Sequence, residues 1–234
     1  MERVALAGHS RGGEAAAIAA ALDRIGVLPD QADAPLTERV GGPHRPRAVV
    51  AIAPSDQQHL PGDRPTRLDG VDYLVIHAGH DADVTGAYGD RQYERTTVGP
   101  GGVRASMFVH RATHAAFNER WGPFDLPPPL GRLLDRRRTL SGEDQRALTA
   151  TLVTSFLERS LRGDEGAERI FRDPTVLAAH APPGAYLTRW DDDRGTVLAD
   201  YSEDVDPATG TLVGLRIEAD GLAVWREGDP GLRG

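Results

Sequence analysis

Ser10 lies at the centre of Gly8-His9-Ser10-Arg11-Gly12, between the apolar run Val4-Ala5-Leu6-Ala7 and the Ala-rich stretch Glu14 to Leu22. A Gly-x-Ser-x-Gly turn set between a strand and a helix is the context of a nucleophile elbow, which lifts the serine hydroxyl above the sheet edge. Gly8 and Gly12 lack side chains, so strand and helix are expected to approach closely around the serine. The Arg11 N–H lies at the start of the helix, where open backbone donors can help hold an oxyanion. A serine hydroxyl is a poor nucleophile at neutral pH. It needs a base, and the base needs an acid to orient it. Asp81 and Asp83, in Gly79-His80-Asp81-Ala82-Asp83-Val84, follow the apolar run Tyr73 to Ala78 and compete for the role of acid. His114 follows the run Arg104 to Val109 and lies far enough beyond it to sit on a loop, whereas His110 touches the end of the run. The order Ser10, Asp, His114 is one of the chain orders in which this chemistry occurs.

The elements that must position these groups are legible in the pattern. Residues 3–7, 48–53, 73–78 and 104–109 read as strands. They are continuously apolar rather than alternating, as in a parallel sheet covered on both faces. Residues 11–23 and 89–96 read as helices between them, so the chain is expected to form an α/β layer structure. Gly26 to Arg47 reads as a loop or excursion, and Leu126 to Leu130 as a Pro-rich loop. Ser141-Gly142-Glu143-Asp144 resembles a capping box. Leu148, Leu152, Phe156 and Leu161 then recur at helical spacing, with Gly163 as the stop. After about residue 184 the pattern changes to short strands at Ala185 to Leu187, Thr196 to Tyr201, Leu212 to Glu218 and Leu222 to Arg226. The expected domains are therefore residues 1–180, α/β, and residues 181–234, a short antiparallel β tail.

These segments resemble the α/β-hydrolase superfamily over about residues 1–175. The elbow Gly-His-Ser-Arg-Gly-Gly is similar to that of chlorophyllase-like and dienelactone-hydrolase-like esterases. The stretches Asp81-Ala82-Asp83-Val84 and Ala112 to Trp121 look like those of large bacterial α/β-hydrolases. The resemblance implies a partial α/β-hydrolase fold, with Ser10 as nucleophile, Asp81 as acid (Asp83 the alternative) and His114 as base. It implies hydrolysis of a small-molecule or lipid-like ester through an acyl-enzyme, without a cofactor, and a β-rich C-terminal region. The family also carries strands before its elbow, and an early loop that supplies a second oxyanion donor. Here the elbow begins beside Met1, so the sequence predicts a chain truncated at its N-terminus. Its elbow strand would be an exposed edge, free to pair with another chain or a missing segment.

Composition bounds the alternatives. The 234 residues carry a net charge of −8, which argues against nucleic acid or an anionic membrane as partner. All 27 basic residues are Arg, and there is no Cys, so disulfides, thiolate–zinc sites and cysteine nucleophiles are excluded. No apolar run approaches the roughly 18 residues needed to span a bilayer, and no signal-peptide pattern is visible. His110 and His114 have i,i+4 spacing, but a His-Glu-x-x-His pattern is missing, so no metal is assigned and a metal-dependent hydrolase ranks third. The second-ranked reading is a non-catalytic fragment. His77 reads as a packed strand residue and His9 as a wall of the elbow. Phe117 and Trp121 could line an acyl pocket or pack beneath the histidine loop. Arg136 to Arg138 reads as a solvated loop and Asp191 to Asp193 as a hairpin turn.

Overall fold

Five apolar segments pair into one sheet. Strands β1 (Ala5–His9), β2 (Ala48–Ile52), β3 (Asp72–Ala78) and β4 (Val103–Val109) are parallel and lie side by side in chain order. Strand β5 (Tyr186–Asp192) joins antiparallel to β4. The computed structural model describes residues 3–28, 31–35, 44–122, 125, 139–199, 206–218 and 220–221. Among these, β1 pairs on one side only, with β2.

Alternate strand residues point to opposite faces, and each face has its own helical cover. Val49, Ala51, Tyr73 and Val75 pack with Ala16, Ala17, Ala20 and Ala21 of helix α1 (Arg11–Ile25). Alanines on this face let the helix axis lie close to the sheet. Helix α2 (Tyr88–Glu94) adds Tyr93 to the same cluster. On the other face, Ala48, Val50, Leu74 and Ile76 pack with Leu148, Leu152 and Phe156 of helix α3 (Gly142–Leu157). Both faces of the central strands are thus buried, which is why their sequences run apolar without alternation.

Helix α3 begins where the capping pattern places it, with Ser141 Oγ accepting from Asp144 N–H at 3.0 Å. A wider helical turn, Glu158–Arg162, follows and ends at Gly163, whose φ of 75° is left-handed. The buried Arg159 guanidinium meets Glu168 at 2.9 Å beside it. Two short helices, α4 (Arg169–Arg172) and α5 (Pro174–His180), lead to β5.

Several expectations are corrected. Compactness divides the chain into units Met1–Asp193 and Arg194–Gly234, a boundary later than residue 180. The reason is β5: Tyr186 and Trp190 pack against the α3-side core, and the Trp190 ring stacks on Phe171 at 5.5 Å. Asp191 and Asp192 therefore lie in a strand rather than a turn, and Asp191 accepts from Tyr93 Oη and Arg104 Nε, both at 2.9 Å. In the second unit, the described parts of Thr196–Tyr201 and Leu212–Glu218 form no strand. That unit carries an isolated antiparallel bridge, Thr209 to Arg216. The Gly26–Arg47 excursion contains an antiparallel pair, Val27–Leu28 with Gln31–Pro35, and Leu68–Asp69 pairs in parallel with Thr96–Thr97. Leu126 to Leu130, Arg136 to Arg138 and Leu222 to Arg226 lie outside the described residues. Among the described residues no helix is long and apolar enough to cross a membrane.

Candidate functional site

The site lies at the C-terminal ends of β1, β3 and β4, where the connections that follow these strands carry Ser10, Asp81 and His114. Ser10 links β1 to α1 with φ 58° and ψ −131°. A left-handed φ in a residue with a side chain costs about 1–3 kcal/mol and persists only where the surroundings over-determine it. Here they do. Ser10 N–H donates to the Ile52 carbonyl at 2.9 Å, and the Ser10 carbonyl accepts from Gly13 N–H at 2.8 Å.

The glycines beside Ser10 differ in what they permit. A Cβ on Gly8 would lie 1.9 Å from the Gly12 carbonyl oxygen. One on Gly13 would lie 2.9 Å from Pro54 Cβ and 3.3 Å from Ala51 Cβ. One on Gly12 would meet nothing within 4 Å. The expectation for Gly12 is corrected: Gly8 and Gly13 are the positions where strand and helix approach. Arg11 is the first residue of α1, so its N–H belongs to the first-turn donors that have no partner within the helix.

Asp81 and Asp83 separate clearly. Asp81 Oδ1 folds back onto its own loop, accepting from Asp83 N–H at 2.9 Å and Val84 N–H at 2.6 Å. Its Oδ2 faces His114 Nδ1 at 2.8 Å. The Asp83 carboxylate is 64% exposed and comes no nearer than 3.9 Å to His114 Nε2. Two carboxylates two positions apart cannot be told apart by spacing alone. The loop's own turn decides which one aims at the imidazole.

The His114 side chain is fully buried. Burial pushes its pKa down, but the Asp81 hydrogen bond and charge, with Asp83 and Asp125, outweigh this and hold it above the ordinary histidine value. His9 behaves oppositely. Burial, and then the neighbouring His114, push it down to about 4. The His9 ring lies 4.6 Å from that of His114, which brings the elbow and the base loop together. Phe117 stands edge-on to His9 at 5.6 Å, and Trp121 lies 5.1 Å from His9 and near-parallel to His114 at 5.9 Å. Trp121 is 55% exposed, so one side of it walls the two imidazoles and the other meets solvent. His114 Nε2 and His9 Nε2 are buried and make no hydrogen bond among the described residues, so Ser10 and His114 are not bonded to each other.

Two residues that the sequence reading did not single out hold the base loop. Gln145 of α3 is buried and grips Thr113, accepting from its N–H at 3.0 Å and donating to its carbonyl at 2.7 Å. A polar residue on the apolar stripe that continues as Leu148, Leu152 and Phe156 was the available signal. Asp125 accepts from Ala82, His114 and Ala115 N–H. Its Pro-rich sequence neighbourhood carries no such signal.

The other histidines are engaged elsewhere. His77 Nε2 lies 3.2 Å from Asp90 Oδ1, which also accepts from Ser106 Oγ. His110 N–H donates to the Ala185 carbonyl at 3.2 Å, and its ring lies 5.2 Å from that of His80. Among the described residues no group of three or more His, Cys, Asp or Glu is arranged to hold a metal ion. No protein-family model matches the chain, and no curated protein matches it.

Proposed function

We propose that this chain is a serine hydrolase acting on carboxylic esters. The observation that carries the reading is the Asp81 Oδ2 to His114 Nδ1 contact of 2.8 Å, beside a serine held at positive φ on a strand-to-helix turn. A carboxylate on Nδ1 fixes the tautomer that leaves Nε2 free to accept a proton. His114 Nε2 takes the Ser10 hydroxyl proton as Oγ attacks the ester carbonyl carbon. The resulting oxyanion is held by the Arg11 N–H at the start of α1. Collapse breaks the bond to the alcohol, which leaves with the proton from His114. Water, deprotonated by His114, then attacks the acyl-serine carbonyl, and as the bond to Oγ breaks His114 returns that proton to Ser10, releasing the acid and the free serine. Asp81 stabilises the imidazolium in both halves. The unmade Ser10–His114 bond is compatible with this chemistry, because catalytic hydrogen bonds often tighten only once substrate is bound. The substrates are small-molecule or lipid-like esters.

A second reading, a non-catalytic fold that retains these residues, is favoured by that same unmade bond and by the single pairing of β1 among the described residues. A fluorophosphonate probe separates the two. Stoichiometric labelling of the folded chain, abolished by Ser10→Ala, together with turnover of a p-nitrophenyl ester, supports the hydrolase. A folded chain left unlabelled supports the second reading.

A further inference from the structure

Asp125 takes no part in the proposed chemistry, yet its carboxylate gathers backbone donors from both loops that carry the acid and the base. Oδ2 accepts from Ala82 N–H at 2.9 Å and His114 N–H at 3.1 Å, and Oδ1 from Ala115 N–H at 2.7 Å. The two loops are otherwise joined where they leave the sheet. Gly79 N–H donates to the Val109 carbonyl at 2.8 Å and His80 N–H to the Ala112 carbonyl at 2.9 Å. Farther along both loops, Asp125 adds the next backbone link between them. Asp81 is thereby tied on both sides to the His114 loop, through His80 to Ala112 and through Ala82 to Asp125. His114 is likewise held on both sides, through Thr113 by Gln145 and through Ala115 by Asp125.

We infer that Asp125 is a positioning residue that latches the acid loop to the base loop and so sets the alignment of Asp81 with His114. The inference rests on the hydrolase reading for its catalytic meaning, but not for its geometry. A carboxylate suits the task. It is acceptor-only, so both oxygens can meet converging N–H groups, and bonds to an ionised acceptor are the stronger kind. A carboxamide has one acceptor oxygen, and its NH2 would face a backbone donor, leaving at least one of the three N–H groups without its partner. The ionisable groups facing His114 are Asp81, Asp83, Asp125 and His9. Removing the Asp125 charge therefore takes away one of three anions that favour the imidazolium.

The test compares the full chain with Asp125→Asn and Asp125→Glu, with Asp173→Asn as a control for loss of a remote capping carboxylate. Asp173 accepts from Thr175 N–H at the start of α5. Three readouts are taken: the melting transition, the His114 imidazole titration and low-field Nδ1 proton by NMR, and the pH profile of fluorophosphonate labelling at Ser10. In Asp125→Asn the His114 titration moves to lower pH and the Nδ1 proton signal broadens or disappears. Labelling at neutral pH slows at least tenfold, with its acidic limb displaced in the same direction. Asp125→Glu, which keeps the charge, recovers part of each effect, and Asp173→Asn shows none. Loss of melting temperature with an unchanged His114 titration and Nδ1 signal would make Asp125 merely structural and overturn the inference. If Asp125→Asn does not fold, Asp125→Glu decides on the same criteria. If the parent chain is not labelled at all, the hydrolase reading falls while the NMR readouts still decide the latch.

Discussion

Asp81 Oδ2 lies 2.8 Å from His114 Nδ1, while Asp83 Oδ2, two residues on, lies 3.9 Å from His114 Nε2 and is mostly in solvent. The two carboxylates therefore face different nitrogens of one ring. Asp81 holds the donor side. Asp83 stands near Nε2, the side that would accept the serine proton in the proposed hydrolase.

This relationship sets unequal costs for two similar substitutions. Asp81→Asn is expected to slow Ser10 labelling and ester turnover by about four orders of magnitude, because an amide can select the wrong imidazole tautomer. Asp83→Asn should change the rate by less than about tenfold, since an exposed charge at this range is screened by water. Comparable rates for the two variants would remove Asp81 from the role of acid.

The two imidazoles make opposite pH signatures. The raised pKa of His114 places the acidic limb of labelling above the ordinary value of 6.5, so the rate rises with pH through that limb. For stability, the His114 contribution is fully present below the unfolded value and is lost as pH rises through the folded one. His9 has the reverse sign. Its folded value of about 4 lies below 6.5, so the unfolded chain takes up this proton first and stability falls as pH drops between the two. NMR should find His9 neutral at about pH 6 and half-titrated near pH 4. His9→Phe should flatten the acid-side loss of melting temperature.

Three neighbouring glycines should respond differently to alanine. Gly8→Ala drives a Cβ to 1.9 Å from backbone and is expected to abolish folding. Gly13→Ala presses on Pro54 and Ala51, and should cost about 1–3 kcal/mol by overpacking. Gly12→Ala meets open space at the start of a helix, and should be neutral or stabilising by up to about 1 kcal/mol. Denaturant midpoints of the three variants test this ordering.

The α3 face of the sheet rests on Phe156, which is fully buried and stands edge-on to Phe171 at 6.5 Å. Phe156→Ala should cost about 3–5 kcal/mol through lost transfer energy and the cavity left behind. In a unit of this size that lowers the melting temperature by roughly 2–4 °C per kcal/mol. His114 is held from the same helix through Gln145, so labelling of Ser10 should weaken in parallel near the transition.

Much of this architecture is written locally in the chain. A strand buried on both faces must be apolar throughout, and that made β2 and β3 readable. Ser141 and Gly163 mark the two ends of the α3 segment because capping and left-handed backbone are decided within a few residues. The order Ser10, Asp81, His114 follows from the same local reading, since each residue directly trails a strand. What depended on distance in sequence was not readable. The Asp191 to Asp193 run looked like a turn, and became strand end and turn because Tyr93 and Arg104, far away in the chain, meet Asp191. Gly13, not Gly12, carries the close approach because Pro54 and Ala51 pack there. Spacing alone left Asp81 and Asp83 in competition, with Asp81 preferred only by resemblance, until the loop turned Asp81 onto His114 Nδ1. Asp125 gained its three donors only when two loops from different strands were brought to the same edge of the sheet. Residue type and spacing name the groups available for chemistry. Which of them face one another is set by hydrogen bonds and packing between segments that the linear sequence keeps apart.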